Sequence, residues 1–254
     1  MALMELIADN LINTTTQIKV DVNTDLVSFL FDRSLETDYA TSGYSSNTST
    51  IISIEFDNPT IISNIILQDH NLKQFRAFYD SATANTFSLD INETTNSETS
   101  NYYRFNSITV SSVQLQMDQA QTADTEKSVS QFIISYRNVE FERNPSIKHY
   151  KPKITKTQVV HDMPDGGVTV YNIANKYKAK IKFEYITSTF YNQLKDLFYD
   201  QNPLYFVPFP TTTSWDGAIY PVIWTGDFDF NYGANVKESG YSGSIVLEER
   251  TSVN

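Results

Sequence analysis

Tyr177-Lys178-Ala179-Lys180-Ile181-Lys182-Phe183-Glu184-Tyr185 alternates an apolar or aromatic residue with a charged one at every step. Successive side chains of an extended strand point to opposite faces, so this period of two puts Tyr177, Ala179, Ile181, Phe183 and Tyr185 on one buried side. The other side is a row of lysines ending in Glu184, which would also discourage edge-to-edge pairing. The same period recurs at Val113, Leu115 and Met117, which alternate with Gln114, Gln116 and Asp118. Outward from these two anchors the chain offers many short strands: Ile51–Phe56, Thr60–Gln68, Phe75–Asp80, Thr86–Ile91, Tyr102–Phe105, Ser107–Met117 and Gln131–Tyr136, then Leu204–Phe209, Ile219–Trp224, Phe228–Tyr232 and Ser242–Glu248. Asp57-Asn58-Pro59 and Trp215-Asp216-Gly217 read as turns, and Met163-Pro164-Asp165-Gly166-Gly167 closes a hairpin between Gln158–His161 and Val168–Ile173. One helix is expected over about residues 188–200, with Ser188 as its cap, Phe190, Leu194, Leu197 and Phe198 at helical spacing, and Pro203 beyond its end. The expected fold class is all-β, mainly an antiparallel sandwich.

Two modules are expected, over residues 1–140 and 158–254. Asn144-Pro145 and Lys151-Pro152-Lys153 break regular structure between them, over residues 141–157. Lys148, Lys151, Lys153 and Lys156 cluster there, and read either as a solvated linker or as a basic contact arm. Charge divides the chain as well. Through Glu140 there are seven of the 19 Lys+Arg and 18 of the 30 Asp+Glu; from Phe141 onward the remaining 12 and 12 cancel. The whole net charge of −11 thus belongs to the first half. Nucleic acid and an anionic membrane are poor partners for such a surface, because phosphate binding needs a basic footprint.

Side chains that could carry catalysis are sparse. The chain has no cysteine, which excludes disulfides, thiolate metal sites and thiol catalysis. His70, His149 and His161 lie far apart, without a paired metal-ligand spacing. GxSxG, GxGxxG and P-loop patterns are missing. Asp227 and Asp229, two apart on an expected strand, would share a face, and Asp21, Asp25, Asp32, Glu36 and Asp38 crowd the region before the first clear strand. Carboxylate pairs are common in any acidic chain, and the acidic crowd lacks the calcium-loop pattern, so it reads as plain surface acidity. No cofactor or metal is expected, and no enzyme. Met1–Ile12 carries Glu5 and Asp9 among its apolar residues and no basic start, unlike a secretory leader. The remaining signal is aromatic: Tyr205, Phe206, Phe209, Trp215, Tyr220 and Trp224 are dense in the second module, either as core or as an interface.

Asp32-Arg33-Ser34-Leu35-Glu36-Thr37-Asp38-Tyr39, followed by Ile51–Phe56, Asn58-Pro59-Thr60-Ile61-Ile62 and Ile65–Gln68, resembles the opening of a discoidin-like (galactose-binding-like) jelly roll, with Tyr39 in place of that family's aromatic. The resemblance covers about the first 140 residues. Asp69-His70-Asn71-Leu72-Lys73-Gln74-Phe75, the helix with Tyr191, Leu194 and Leu197, Asn202–Pro208 and Gly240–Glu249 are similar to jelly-roll and strand-helix-strand modules of phage baseplate and distal tail proteins.

These resemblances imply an N-terminal jelly roll and a C-terminal β-rich module with one helix. They also imply a structural tail subunit in the virion, assembled in a host cytoplasm with copies of itself and other tail proteins. The alternative is a carbohydrate-binding module, because discoidin-like folds bind at loops on one end of the sandwich, here Asp38–Asn47 and Asn92–Asn101. A host-surface glycan would then be the ligand. Candidate contact residues are Tyr39, Tyr44, His70 and Asn71.

Overall fold

The computed structural model describes residues 3–8, 10–41, 48–81, 87–146, 148–163, 167–200, 204–208, 219–234 and 239–250. Strands run as β1 (Glu5–Ala8), β2 (Ile18–Val20), β3 (Tyr39–Ala40), β4 (Thr50–His70), β5 (Leu72–Ser81), β6 (Phe87–Glu93), β7 (Asn101–Ala120), β8 (Ser128–Ser135) and β9 (Arg137–Glu140). They continue as β10 (Tyr150–Asp162), β11 (Val168–Ile186), β12 (Leu204–Val207), β13 (Tyr220–Thr225), β14 (Phe230–Ala234) and β15 (Ser239–Glu249), with the helix α1 (Ser188–Asp200) after β11. The fold is all-β in two antiparallel sheets, as expected. One has the order β3-β8-β4-β7-β5-β6, with β2 on β4; the other runs β10-β11-β15-β13-β12-β1-β9, with β14 on β15.

Sheet membership does not follow chain order. β1 lies between β12 and β9, with Glu5 opposite both Val207 and Glu140. The chain therefore starts in the second sheet, leaves it after Ala8, builds the jelly roll, and returns at Arg137. Both ends of the stretch read as the first module thus belong to the other sheet. The crossing strands are tied where they part: Ser135 Oγ donates to the Ala8 carbonyl at 2.8 Å, and Leu11 N to that of Ile134 at 2.8 Å.

Several expected strands prove to be parts of longer ones. Asp57-Asn58-Pro59 is not a chain reversal. It lies inside β4, where pairing with β7 shifts register between Glu55 and Thr60. A proline cannot donate to a ladder, and a bulge lets one strand absorb it without ending. The expected linker holds the start of β10, so Lys151, Lys153 and Lys156 are strand residues paired to Lys180, Lys178 and Asn175. The helix occupies the expected span, but its cap is Thr187: Oγ1 accepts Phe190 N at 3.2 Å and itself donates to Glu142. Asp227 and Asp229 precede β14 and are not on a strand. The Trp215-Asp216-Gly217 turn, Phe209 and Pro203 lie outside the described residues.

Each sheet has its own core, and a third cluster joins them. Ile52, Ile54, Val113, Leu115, Phe132 and Ile134 fill the jelly roll. Phe141, Phe183, Phe190, Leu194 and Phe206 fill the space between the second sheet and α1. Ile66, Tyr102 and Ile133 on the jelly roll's outer face meet Ile7, Tyr205, Val207 and Ile219. That junction explains the doublets Ile65-Ile66 and Ile133-Ile134. In each, one residue enters the jelly-roll core and its neighbour faces the other module. A polar knot closes the junction. Glu5 is fully buried, with its carboxylate on the Tyr102 hydroxyl at 2.6 Å and against Arg104, which also holds Glu140 at 2.9 Å. Burial pushes the Glu5 carboxyl up, and Tyr102 and Arg104 pull against that shift.

Candidate functional site

Asp32 organises one end of the jelly roll. Its Oδ1 accepts Ser34 N at 2.8 Å and Gln131 Nε2 at 2.9 Å, and its Oδ2 accepts the Thr37 hydroxyl at 2.6 Å. The carboxylate thereby wraps residues 32–37 into a tight turn, a local competitor to strand pairing that short acidic side chains provide. The turn delivers Tyr39 to the core. Tyr39 is fully buried, and its hydroxyl donates to the Val22 carbonyl at 2.7 Å. Burial pushes its phenol up to about 12. Tyr39 is thus a core residue with no face left for a ligand, because the turn aims the ring inward. Tyr44 lies outside the described residues.

His70 and Asn71 stand where β4 hands over to β5, and both are taken up by structure. The Nδ1 of His70 accepts Leu72 N at 3.1 Å, so its proton sits on Nε2, which faces Asn101 Oδ1 at 2.7 Å. Burial lowers the imidazole to about 4, and the Asn101 contact opposes the shift. A ring with both nitrogens engaged serves as a rigid post. Asn71 clips the neighbouring strand: Nδ2 donates to the Glu126 carbonyl at 2.7 Å, and Oδ1 accepts Ser128 N at 2.9 Å.

Around this post lies a cleft of about 360 Å³. The 32–37 turn forms one wall with Leu35, Glu36, Thr37 and Asp38; Asp69, His70 and Asn71 form the floor; Thr99, Gln121, Ser128 and Ser130 complete it. Asp69 has a left-handed backbone, φ 47°, which presents its exposed side chain at the rim. Partial burial, and then the like charge of Asp38, push the Asp69 carboxyl up from the usual aspartate value. The Thr94–Ser100 segment is held against the cleft by Asn96, whose Nδ2 donates to the Leu72 and Glu98 carbonyls at 2.7 and 2.8 Å. The cleft thus offers carboxylates, hydroxyls and carboxamides on a fixed frame. It joins His70 and Asn71, and excludes Tyr39. Sequence reasoning missed Asp69 and Gln121 as its members. The signal for Asp69 was its place beside His70 in a polar triplet; Gln121 had none.

Among the described residues, no group of three or more His, Cys, Asp or Glu is placed to hold a metal ion. No helix among them is long and apolar enough to cross a membrane.

No family model matches the chain, and no curated protein matches it. Solved structures similar to part of it include carbohydrate-binding modules. A chitosan-binding module of a Paenibacillus sp. IK-5 chitosanase/glucanase is 13% identical over 42% of this chain and 82% of that one, with a TM-score of 0.37. A Clostridium perfringens module, CpGH89CBM32-6, is 12% identical over 51% of this chain and 100% of its own, with a TM-score of 0.42. A Ruminococcus gnavus GH29 fucosidase in complex with fucose is 14% identical over 52% of this chain but 28% of its own length, with a TM-score of 0.42. None of these three is a tail or baseplate protein. At such identities no ligand or activity transfers to this chain.

Proposed function

We propose that the chain is a non-enzymatic binding protein whose jelly roll takes a glycan in the cleft between the 32–37 turn and the β4–β5 corner. The observation that carries this reading is the cleft itself. Its hydrogen-bonding walls are held rigidly by Asp32, His70, Asn71 and Asn96, and preorganised polar groups favour a polyhydroxylated ligand. Asp38 and Asp69 would accept sugar hydroxyls. Apart from the buried imidazole, no aromatic ring among the described residues lines the cleft, so binding would rest on hydrogen bonds, with affinity on the order of millimolar. The test is a glycan array with the full chain, followed by titration of each hit. Asp69→Asn keeps a residue that tolerates the left-handed backbone, and should weaken binding about tenfold. A chain that captures no glycan, or hits indifferent to Asp69→Asn, would overturn the reading.

We also propose a second reading, assembly as a tail or baseplate subunit of a virion, which is supported only as far as one arm of the second sheet is open to contact with a neighbour. β11 pairs with β15 only from Lys178 onward; before that, among the described residues, it pairs with β10 alone. The result is a two-stranded arm on which Ile154, Val160, Val168 and Val170 are more than half exposed. A lone ribbon is marginal by itself, and exposed apolar residues grouped on it suit contact with a neighbour. Light scattering over a concentration series tests this: a discrete oligomer, lost in Val160→Lys, supports it. A monomer at every concentration, indifferent to tail components, removes it.

A further inference from the structure

A second cleft, of about 490 Å³, is built by other elements, the segment after β9 and the end of β11. We propose that it binds an acidic sugar unit, a hexuronate-like ring whose carboxylate meets cationic side chains while its face lies on Tyr185. Three observations carry this beyond the jelly-roll site.

The first is charge. Arg143, His149 and Lys182 line the cleft around one acidic side chain, Glu184. Lys182 Nζ holds the Glu184 carboxylate at 2.8 Å, and His149 Nε2 stands 3.6 Å from the same oxygen. Arg143 instead donates to the backbone carbonyl of Glu184 rather than to its carboxylate, so two permanent cations, Arg143 and Lys182, face one carboxylate. An anion entering the cleft therefore meets more positive than negative charge. A guanidinium also matches a carboxylate in a planar, two-point geometry. The Lys182 contact, with His149 and Arg143 assisting, holds the Glu184 carboxyl below the usual glutamate range, which keeps it an acceptor for ring hydroxyls.

The second is the strained backbone at Tyr185. Its φ is 55°, a left-handed value that an aromatic residue rarely adopts. Pairing between β11 and β15 shifts register between Phe183 and Ile186, so this residue leaves the inward alternation its position in the strand would dictate. Tyr185 is 37% exposed and lines the cleft. Exposed rings beside hydrogen-bonding groups suit a ligand with one apolar face and one polar edge.

The third is the support behind it. Gly240 lies so close that a Cβ there would meet the Ile186 carbonyl oxygen at 2.6 Å and the Tyr185 Cα at 2.9 Å. Ser242 Oγ accepts Tyr185 N at 3.1 Å. On the opposite wall Asn144 Oδ1 accepts Met4 N at 2.8 Å, and the His149 carbonyl accepts Lys182 N at 2.8 Å. Both walls are thus fixed to the second sheet, independently of the jelly roll.

The experiment is calorimetric titration of the full chain with sodium glucuronate, glucose and sodium acetate. Glucuronate is expected to bind about tenfold more tightly than glucose or acetate, since charge and ring are read together. Arg143→Gln and Tyr185→Ala should each weaken glucuronate about tenfold. Asp69→Asn, in the jelly-roll cleft, should leave the Arg143-dependent part of glucuronate binding in place, which separates this site from the one proposed above. A near-ultraviolet circular dichroism spectrum like that of the parent chain marks each variant as folded. If Tyr185→Ala unfolds the chain, Tyr185→Phe retains the ring and should retain binding. Equal affinity for glucuronate and acetate, or for glucuronate and glucose, overturns the proposal. So does folded Arg143→Gln with undiminished binding.

Discussion

The jelly roll and the second sheet bury their residues by different means. The jelly roll has a mainly aliphatic core in which Ile52, Ile54, Leu67, Val113, Leu115 and Ile134 come together from the long neighbouring strands β4, β7 and β8. Branched residues of moderate size, with a few rings such as Tyr39 and Phe132, close that core. Among the described residues the second sheet has eight strands but one 13-residue helix to cover it. Such a helix is about 20 Å long, too short to roof the sheet, and rings fill the difference. Tyr177 stacks on Tyr220 with centroids 3.6 Å apart, Tyr191 on Tyr241 at 3.9 Å, and Phe141 meets Phe183 edge-on at 5.2 Å. Two β-rich modules in one chain therefore use different amino acids for one task, because their layers differ in cover.

The contrast is open to attack, most strongly at the centre of the aromatic core. Phe206 packs against Phe141, Tyr150 and Tyr177. Phe206→Ala should cost about 4 kcal/mol, against about 3 kcal/mol for Leu115→Ala in the jelly roll. Urea denaturation of the two variants decides it, and a larger loss at Leu115 would break the claim that rings dominate the second module. A middle-sized effect is expected at His70. Its folded value of about 4 lies below the ordinary 6.5, so its contribution is full above pH 6.5 and is lost as pH falls toward 4. That loss is on the order of 3 kcal/mol at most. His70→Gln should flatten this part of the stability–pH curve, and an unchanged slope would show that the acid sensitivity lies elsewhere. The smallest effect belongs to the arm. Ile154 is 69% exposed, so Ile154→Thr should change the unfolding free energy measured in urea by no more than about 0.5 kcal/mol. A loss of several kcal/mol would mean that the arm is part of the fold.

Legibility in the sequence follows the same division. The alternation at Tyr177–Phe183 and at Val113–Met117 held because in each case one face meets a core. It failed at Tyr185, where the strand is bulged and the ring turns to the cleft. Ile65-Ile66-Leu67 has no clear period because both faces are buried, one by each module. Of the candidate contacts, His70 and Asn71 do line a cleft, His70 as a buried post and Asn71 as a clip to the next strand. Tyr39 was misplaced because a turn held by Asp32 drives it inward, and nothing in the residue alone distinguishes a stacking ring from a core ring. Arg143 and Glu184 went unnoticed, since each looks like an ordinary surface charge until the segment after β9 and the end of β11 are brought together.

The sequence by itself determined the class of the fold, the α-helix of residues 188–200 and the unequal spread of charge, because periodicity and composition act locally. Only the tertiary structure decided that β1 belongs to the second sheet and that the jelly roll is inserted after it. It also decided that two clefts form from residues distant along the chain. Strand order depends on which edges and faces remain to be covered once all elements are present, and no short stretch of sequence carries that information.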